Sequence, residues 1–105
     1  MNNNIFDNIP QEIPKEIFED IIKTDNMKIE RIVSHGQSSP DYGWYECNDN
    51  EWVMVLQGKA KLRFHSNNEL VELNPGSHIE IKAGVRHKVE WTSPDEKTVW
   101  LAVYY

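Results

Sequence analysis

From Met27 to the C-terminus, apolar and polar residues alternate in short runs. The clearest is Lys59 to His65, where Ala60, Leu62 and Phe64 alternate with Lys59, Lys61, Arg63 and His65. A period of two puts the apolar set on one face of a strand. Ser66-Asn67-Asn68 reads as a turn, and Glu69 to Leu73 returns as the hairpin partner. Met27 to Ser34, Ser77 to Lys82, His87 to Trp91 and Thr98 to Tyr105 are further candidates. Glu51 to Gln57 differs, because Trp52, Met54 and Leu56 share one face while Val53 and Val55 share the other. Both faces must then be covered. Seven or eight short strands separated by turn signals predict an all-β sandwich or barrel.

The first segment has another rhythm. Ile17, Phe18, Ile21 and Ile22 recur at helix spacing, with Pro14 in the first turn and Asp25-Asn26 as the stop. Before it, Ile9-Pro10 and Ile13-Pro14 predict an extended arm able to lie across a sheet. The expected organisation is one domain, with arm and short helix over 1–26 and the barrel over 27–105.

Strand parity sorts the histidines. On His87 to Trp91, charged Lys88 and Glu90 take the solvent side, so His87 faces inward with Val89 and Trp91. His65 and His78 group with charged neighbours and face out, while parity leaves His35 open. Glu51 shares parity with Val53 and Val55 and points inward. A buried carboxylate needs a partner, a hydrogen bond or a metal. Imidazole with carboxylate begins a Zn, Fe, Mn or Ni site, although three or four ligands are usual.

The same residues carry a family resemblance. Glu51 and Gly58 hold the spacing of a Glu and the Gly seven positions beyond it in the first cupin motif. Pro75-Gly76-Ser77 and Lys82-Ala83-Gly84-Val85-Arg86-His87 resemble the second motif, with Ser for Asp and Lys for Pro. The chain thus resembles the cupin superfamily, and also a small single-domain bacterial subgroup through Trp44-Tyr45, Glu51-Trp52-Val53 and Glu90-Trp91-Thr92. The resemblance implies a jelly-roll barrel, the double-stranded β-helix. It also places Glu51 and His87 at two of the family's four metal-ligand positions. The family's His-X-His pair is replaced by Tyr45 and Cys47, or by Trp44 and Glu46.

The candidate pocket therefore comprises Gln37, Trp44, Tyr45, Glu51, His87 and Trp91. The candidate metal ligands are His87, Glu51 and Cys47. One divalent metal or no cofactor is expected, and no residue is assigned a catalytic role. Four functions stay open: a small-molecule-binding barrel, a metal-dependent oxygenase or isomerase, a metal-free acid–base catalyst, and a metal-free structural or sensing barrel.

Composition narrows the partners. Of 105 residues, 17 are acidic and 11 basic, giving a net charge of −6 without any Lys/Arg cluster. Such a surface repels nucleic acid. No apolar run approaches the ~20 residues of a membrane span, and the start of the chain lacks the features of a signal peptide. A single Cys47 precludes an internal disulfide. These features predict a cytoplasmic protein, and the two-faced apolar strands predict a homodimer.

Overall fold

A computed structural model describes residues 3–40 and 43–105; Met1, Asn2, Asp41 and Tyr42 lie outside the described residues. Among the described residues, eight strands build two antiparallel sheets. They are β1 (Ile17–Lys23), β2 (Lys28–Ser34), β3 (Glu51–Gln57), β4 (Ala60–Phe64), β5 (Leu70–Leu73), β6 (His78–Ile81), β7 (His87–Thr92) and β8 (Thr98–Tyr104). One sheet has the order β1-β2-β8-β3-β6 and the other β5-β4-β7. Their facing sides form a jelly-roll core. Val53, Val55 and Trp100 come from the larger sheet, and Ala60, Leu62 and Leu73 from the smaller one.

The expected N-terminal helix is absent. Residues 17–23 form β1, paired with β2 from Ile17↔Val33 to Lys23↔Lys28. Three β-branched isoleucines in seven residues favour a strand. A register shift between Asp20 and Ile22 breaks the two-residue alternation, which is why the sequence mimics helix spacing. Asp25-Asn26 is the tip of the β1–β2 hairpin instead of a helix stop. Thr24 Oγ1 accepts N–H groups from Asn26 at 3.3 Å and Met27 at 3.1 Å, fixing that tip.

The arm does lie across a sheet, on the outer face of β2. Buried Arg31 donates to the carbonyls of Ile5 at 3.0 Å and Asp7 at 2.5 Å, and pairs with Glu19. Lys97 holds the Pro10 carbonyl at 2.7 Å, and Gln37 holds that of Ile13 at 2.7 Å. This coverage explains the two-faced pattern of β2. Arg31 is held under the arm and Val33 is buried on the same face, so Lys28, Glu30 and Ile32 turn inward.

Register then sets the floor of the cavity. Lys28 pairs with Tyr104, Tyr104 with Glu51, and Glu51 with Ile81, forming one transverse row across β2, β8, β3 and β6. All four side chains line the same cavity.

Candidate functional site

His87 enters from the smaller sheet, where it pairs with Phe64 of β4. On its other side, His87 exchanges two backbone hydrogen bonds with Tyr45, at 2.7 and 2.9 Å. The imidazole Nδ1–H donates to the Val85 carbonyl at 3.0 Å, which leaves Nε2 facing the interior. There it meets Glu51 Oε1 at 3.4 Å, both side chains being buried. Among the described residues, Glu51 Oε1 has no hydrogen-bond partner. The two groups line a cavity of about 330 Å³, together with the apolar Leu62, Val89 and Trp100.

Electrostatics follow from this packing. Burial pulls the His87 pKa down, but the Glu51 carboxylate and the Val85 carbonyl outweigh it, and the net shift is upward. A raised histidine stabilises the folded state below its unfolded value of about 6.5 and loses that contribution as pH rises through the folded value. Urea unfolding followed from pH 6 to pH 9 is therefore expected to show a decline in stability that His87→Gln removes. An identical decline in the variant would assign the effect elsewhere.

A second polar group stands beside the pair. Glu30 is buried, with Lys28 at 3.4 Å and the Tyr104 hydroxyl donating to it at 3.4 Å. The Lys28 ammonium also sits 4.6 Å over the Tyr104 ring. Burial raises the Tyr104 pKa far above the usual phenol value, and the nearby Glu51 and Glu30 raise it further. Tyr45 is pushed up to about 12 by desolvation first, then by Cys47 and by the two carboxylates. Both phenols thus stay protonated and remain hydrogen-bond donors at neutral pH.

Of the six expected pocket residues, Tyr45, Glu51 and His87 line the cavity. Trp91 does not. A register shift in the β4–β7 pairing opposes Leu62 to Val89 but Lys61 to Trp91, leaving Glu90 as the extra residue. Parity flips there, so Thr92 turns inward and the Trp91 ring lies under the Lys61 ammonium at 5.2 Å. Trp44 packs edge-on against His65 and beneath Lys88. Gln37 is a clamp for the arm. His78 packs its ring against Trp52 on the outer face of β3.

The alternation of β2 and β8 hid Lys28, Glu30 and Tyr104 from the sequence reading. Tyr104 shares parity with Trp100, which was a usable signal. Trp100 itself lines the cavity while its Nε1–H donates to Ser34 Oγ at 3.1 Å, and Ser34 donates to Glu16 at 2.5 Å.

The donor set fits a resident metal poorly. His87 Nε2 and Glu51 Oε1 converge, but Cys47 lines a neighbouring cavity. Among the described residues, no three His, Cys, Asp or Glu side chains gather where they could hold a metal. Structural and catalytic sites ordinarily supply three or four protein ligands. Nor is any helix among the described residues long and apolar enough to cross a membrane.

The architecture and residue pattern have known counterparts. A protein of Ralstonia eutropha JMP134, named provisionally as a mannose-6-phosphate isomerase, is 39% identical, with a TM-score of 0.94 over 99% of this chain and 96% of that one. A cupin superfamily protein of Desulfitobacterium hafniense DCB-2 is 16% identical, with a TM-score of 0.75 over 91% and 82% of the respective chains. The TT1209 protein of Thermus thermophilus is 18% identical, with a TM-score of 0.74 over 91% and 88%. These last two show the fold alone. No curated protein matches the sequence. The family model described as the cupin domain matches residues 32–104, which include both Glu51 and His87, and the chain belongs to that family.

Proposed function

We propose that this cupin binds a small hydroxyl-bearing molecule in its interior cavity, with His87 and Glu51 sharing one proton across the ligand oxygen. The buried Glu51 Oε1, which faces His87 Nε2 at 3.4 Å but accepts no hydrogen bond among the described residues, carries the reading. Leaving such an atom unpaired costs about 1–3 kcal/mol. A hydroxyl between the two groups accepts from His87 Nε2–H and donates to Glu51, satisfying both. Leu62, Val89 and Trp100 offer apolar surface to its carbon skeleton. No step uses a metal.

Glycerol titrated into isotope-labelled protein tests this reading. Chemical-shift changes are expected at His87, Glu51 and Tyr104, and are expected to vanish in His87→Ala and Glu51→Gln. Equal responses in all three proteins would refute it.

A second reading, an acid–base isomerase of hydroxy-carbonyl compounds, draws on the provisional name of the Ralstonia protein and on the movable proton between His87 and Glu51. Mannose 6-phosphate incubated with the protein in D2O would exchange hydrogen beside its carbonyl. No deuterium uptake would dismiss this activity.

We also propose that two copies pair through β1. It is an edge strand whose Phe18, Ile21 and Ile22 are 58%, 49% and 47% exposed. Such an edge is a template for another strand, and β1 of a second copy is the matching one. Light scattering is expected to give twice the 12.3 kDa chain mass, reverting to the single mass in Phe18→Lys/Ile22→Lys. A monomeric wild type would overturn the pairing.

A further inference from the structure

The cavity at His87 and Glu51 does not stand alone. A second cavity of about 420 Å³ lies beside it. Lys28, Tyr45 and Tyr104 line both, so the two meet at these side chains. Their linings differ. Leu62, Val89 and Trp100 give the inner chamber an apolar wall beside the charged Lys28 and Glu30. The outer chamber is polar, with Thr24 and Asn26 from the β1–β2 turn and Cys47 and Asp49 from the facing segment.

Both outer walls are held in place. Thr24 Oγ1 accepts two N–H groups of its own turn. The facing segment is fixed where the Gly84 N–H donates to the Cys47 carbonyl at 2.8 Å, and where Asn50 and Tyr105 exchange backbone hydrogen bonds at 2.9 Å. Tyr45 stands at the junction, its ring 5.3 Å from the His87 imidazole and nearly perpendicular to it.

We propose that the two cavities form one two-chambered site for an open-chain polyhydroxylated ligand. One end hydroxyl sits between His87 and Glu51, and the distal hydroxyls lie against the Thr24–Met27 turn and Asp49. This rests on the binding role proposed for His87 and Glu51. The outer lining sets cationic Lys23 and Lys28 beside anionic Asp25 and Asp49. It therefore offers donors and acceptors together, the complement of a group that both donates and accepts. Tyr45 and Tyr104 line both chambers, and an extended chain lying along them reaches from one to the other.

Glycerol, erythritol and mannitol titrated into the full chain form a length series. Mannitol is expected to bind at least about tenfold more tightly than glycerol, from its added hydrogen bonds. Cys47→Trp fills the outer chamber and is expected to bring mannitol down to the affinity of glycerol while leaving glycerol unchanged. Asp49→Ala, at an exposed position, should weaken mannitol alone. Equal affinities for glycerol and mannitol in the wild type would overturn the two-chambered site while leaving glycerol binding at His87 intact. Parallel losses for both polyols in the two variants would overturn it as well. Failure of every polyol to shift the His87 and Glu51 signals would remove both proposals together.

Discussion

Glu51→Leu is expected to make the protein more stable at pH 8 and unable to hold its ligand. In the wild type a carboxylate is buried with one oxygen that has no hydrogen bond among the described residues, 3.4 Å from His87 Nε2. Where His87 is neutral and gives the carboxylate no opposite charge, removing that penalty with an apolar side chain of similar size should raise stability by about 1–2 kcal/mol. The urea midpoint should move up by roughly 1 M. Glycerol affinity should fall about tenfold to a hundredfold, the worth of a charge-assisted hydrogen bond. The pH dependence adds a further check. Without Glu51, burial is the larger of the remaining influences on His87 and lowers its pKa. A depressed histidine stabilises above its unfolded value of about 6.5 and loses that contribution as pH falls. The gain in Glu51→Leu should therefore shrink on acidification, opposite to the wild-type trend. A variant less stable than wild type at pH 8 would mean that Glu51 is satisfied in the fold and does not await a ligand.

Such a trade between stability and binding could be read from sequence only in part. Glu51 was legible because β3 alternates regularly from Glu51 to Val55, its register shift coming only after Val55, so its parity with Val53 and Val55 held. His87 was legible because it precedes the irregularity in β7, and Trp91 was misplaced because it follows it. A bulge of one residue leaves no mark on an apolar–polar pattern except the wrong answer. The same cause turned β1 into an expected helix. β2 defeated parity differently. Charged residues normally mark the solvent side, but here the arm covers the apolar face, and Lys28 and Glu30 look into the cavity. What no local pattern contains is the meeting of His87 and Glu51 from opposite sheets. That depends on the packing of the two sheets, for which the cupin resemblance was the sole guide in the sequence.

Gly58→Ala should be among the most damaging single substitutions in the chain, although it adds one methyl group. Gly58 follows β3 with φ of +87°, a conformation that costs other residues about 1–2 kcal/mol. Its added Cβ would also lie 2.6 Å from Thr98 Cα and 2.8 Å from the Lys97 carbonyl oxygen. Those are backbone atoms at the start of β8, and no rotamer change relieves them. Thr98 is buried and tied to Lys59 through its hydroxyl, at 3.2 and 3.3 Å. The strand must therefore shift, and overpacking of this kind costs about 1–3 kcal/mol. Together the two effects should remove about 3 kcal/mol, a large share of the roughly 5–15 kcal/mol typical of a domain. The shift would pass along β8 to Tyr104, so the row that aligns Lys28, Tyr104 and Glu51 should loosen. Gly76→Ala separates the two causes. Gly76 has nearly the same φ, +89°, but its Cβ would meet nothing within 4 Å. Its loss should stay at about 1 kcal/mol, the conformational part alone. Urea denaturation of the two variants side by side is the measurement. Equal losses would show that β8 yields freely at Gly58 and that close approach of the backbone is not what the glycine serves.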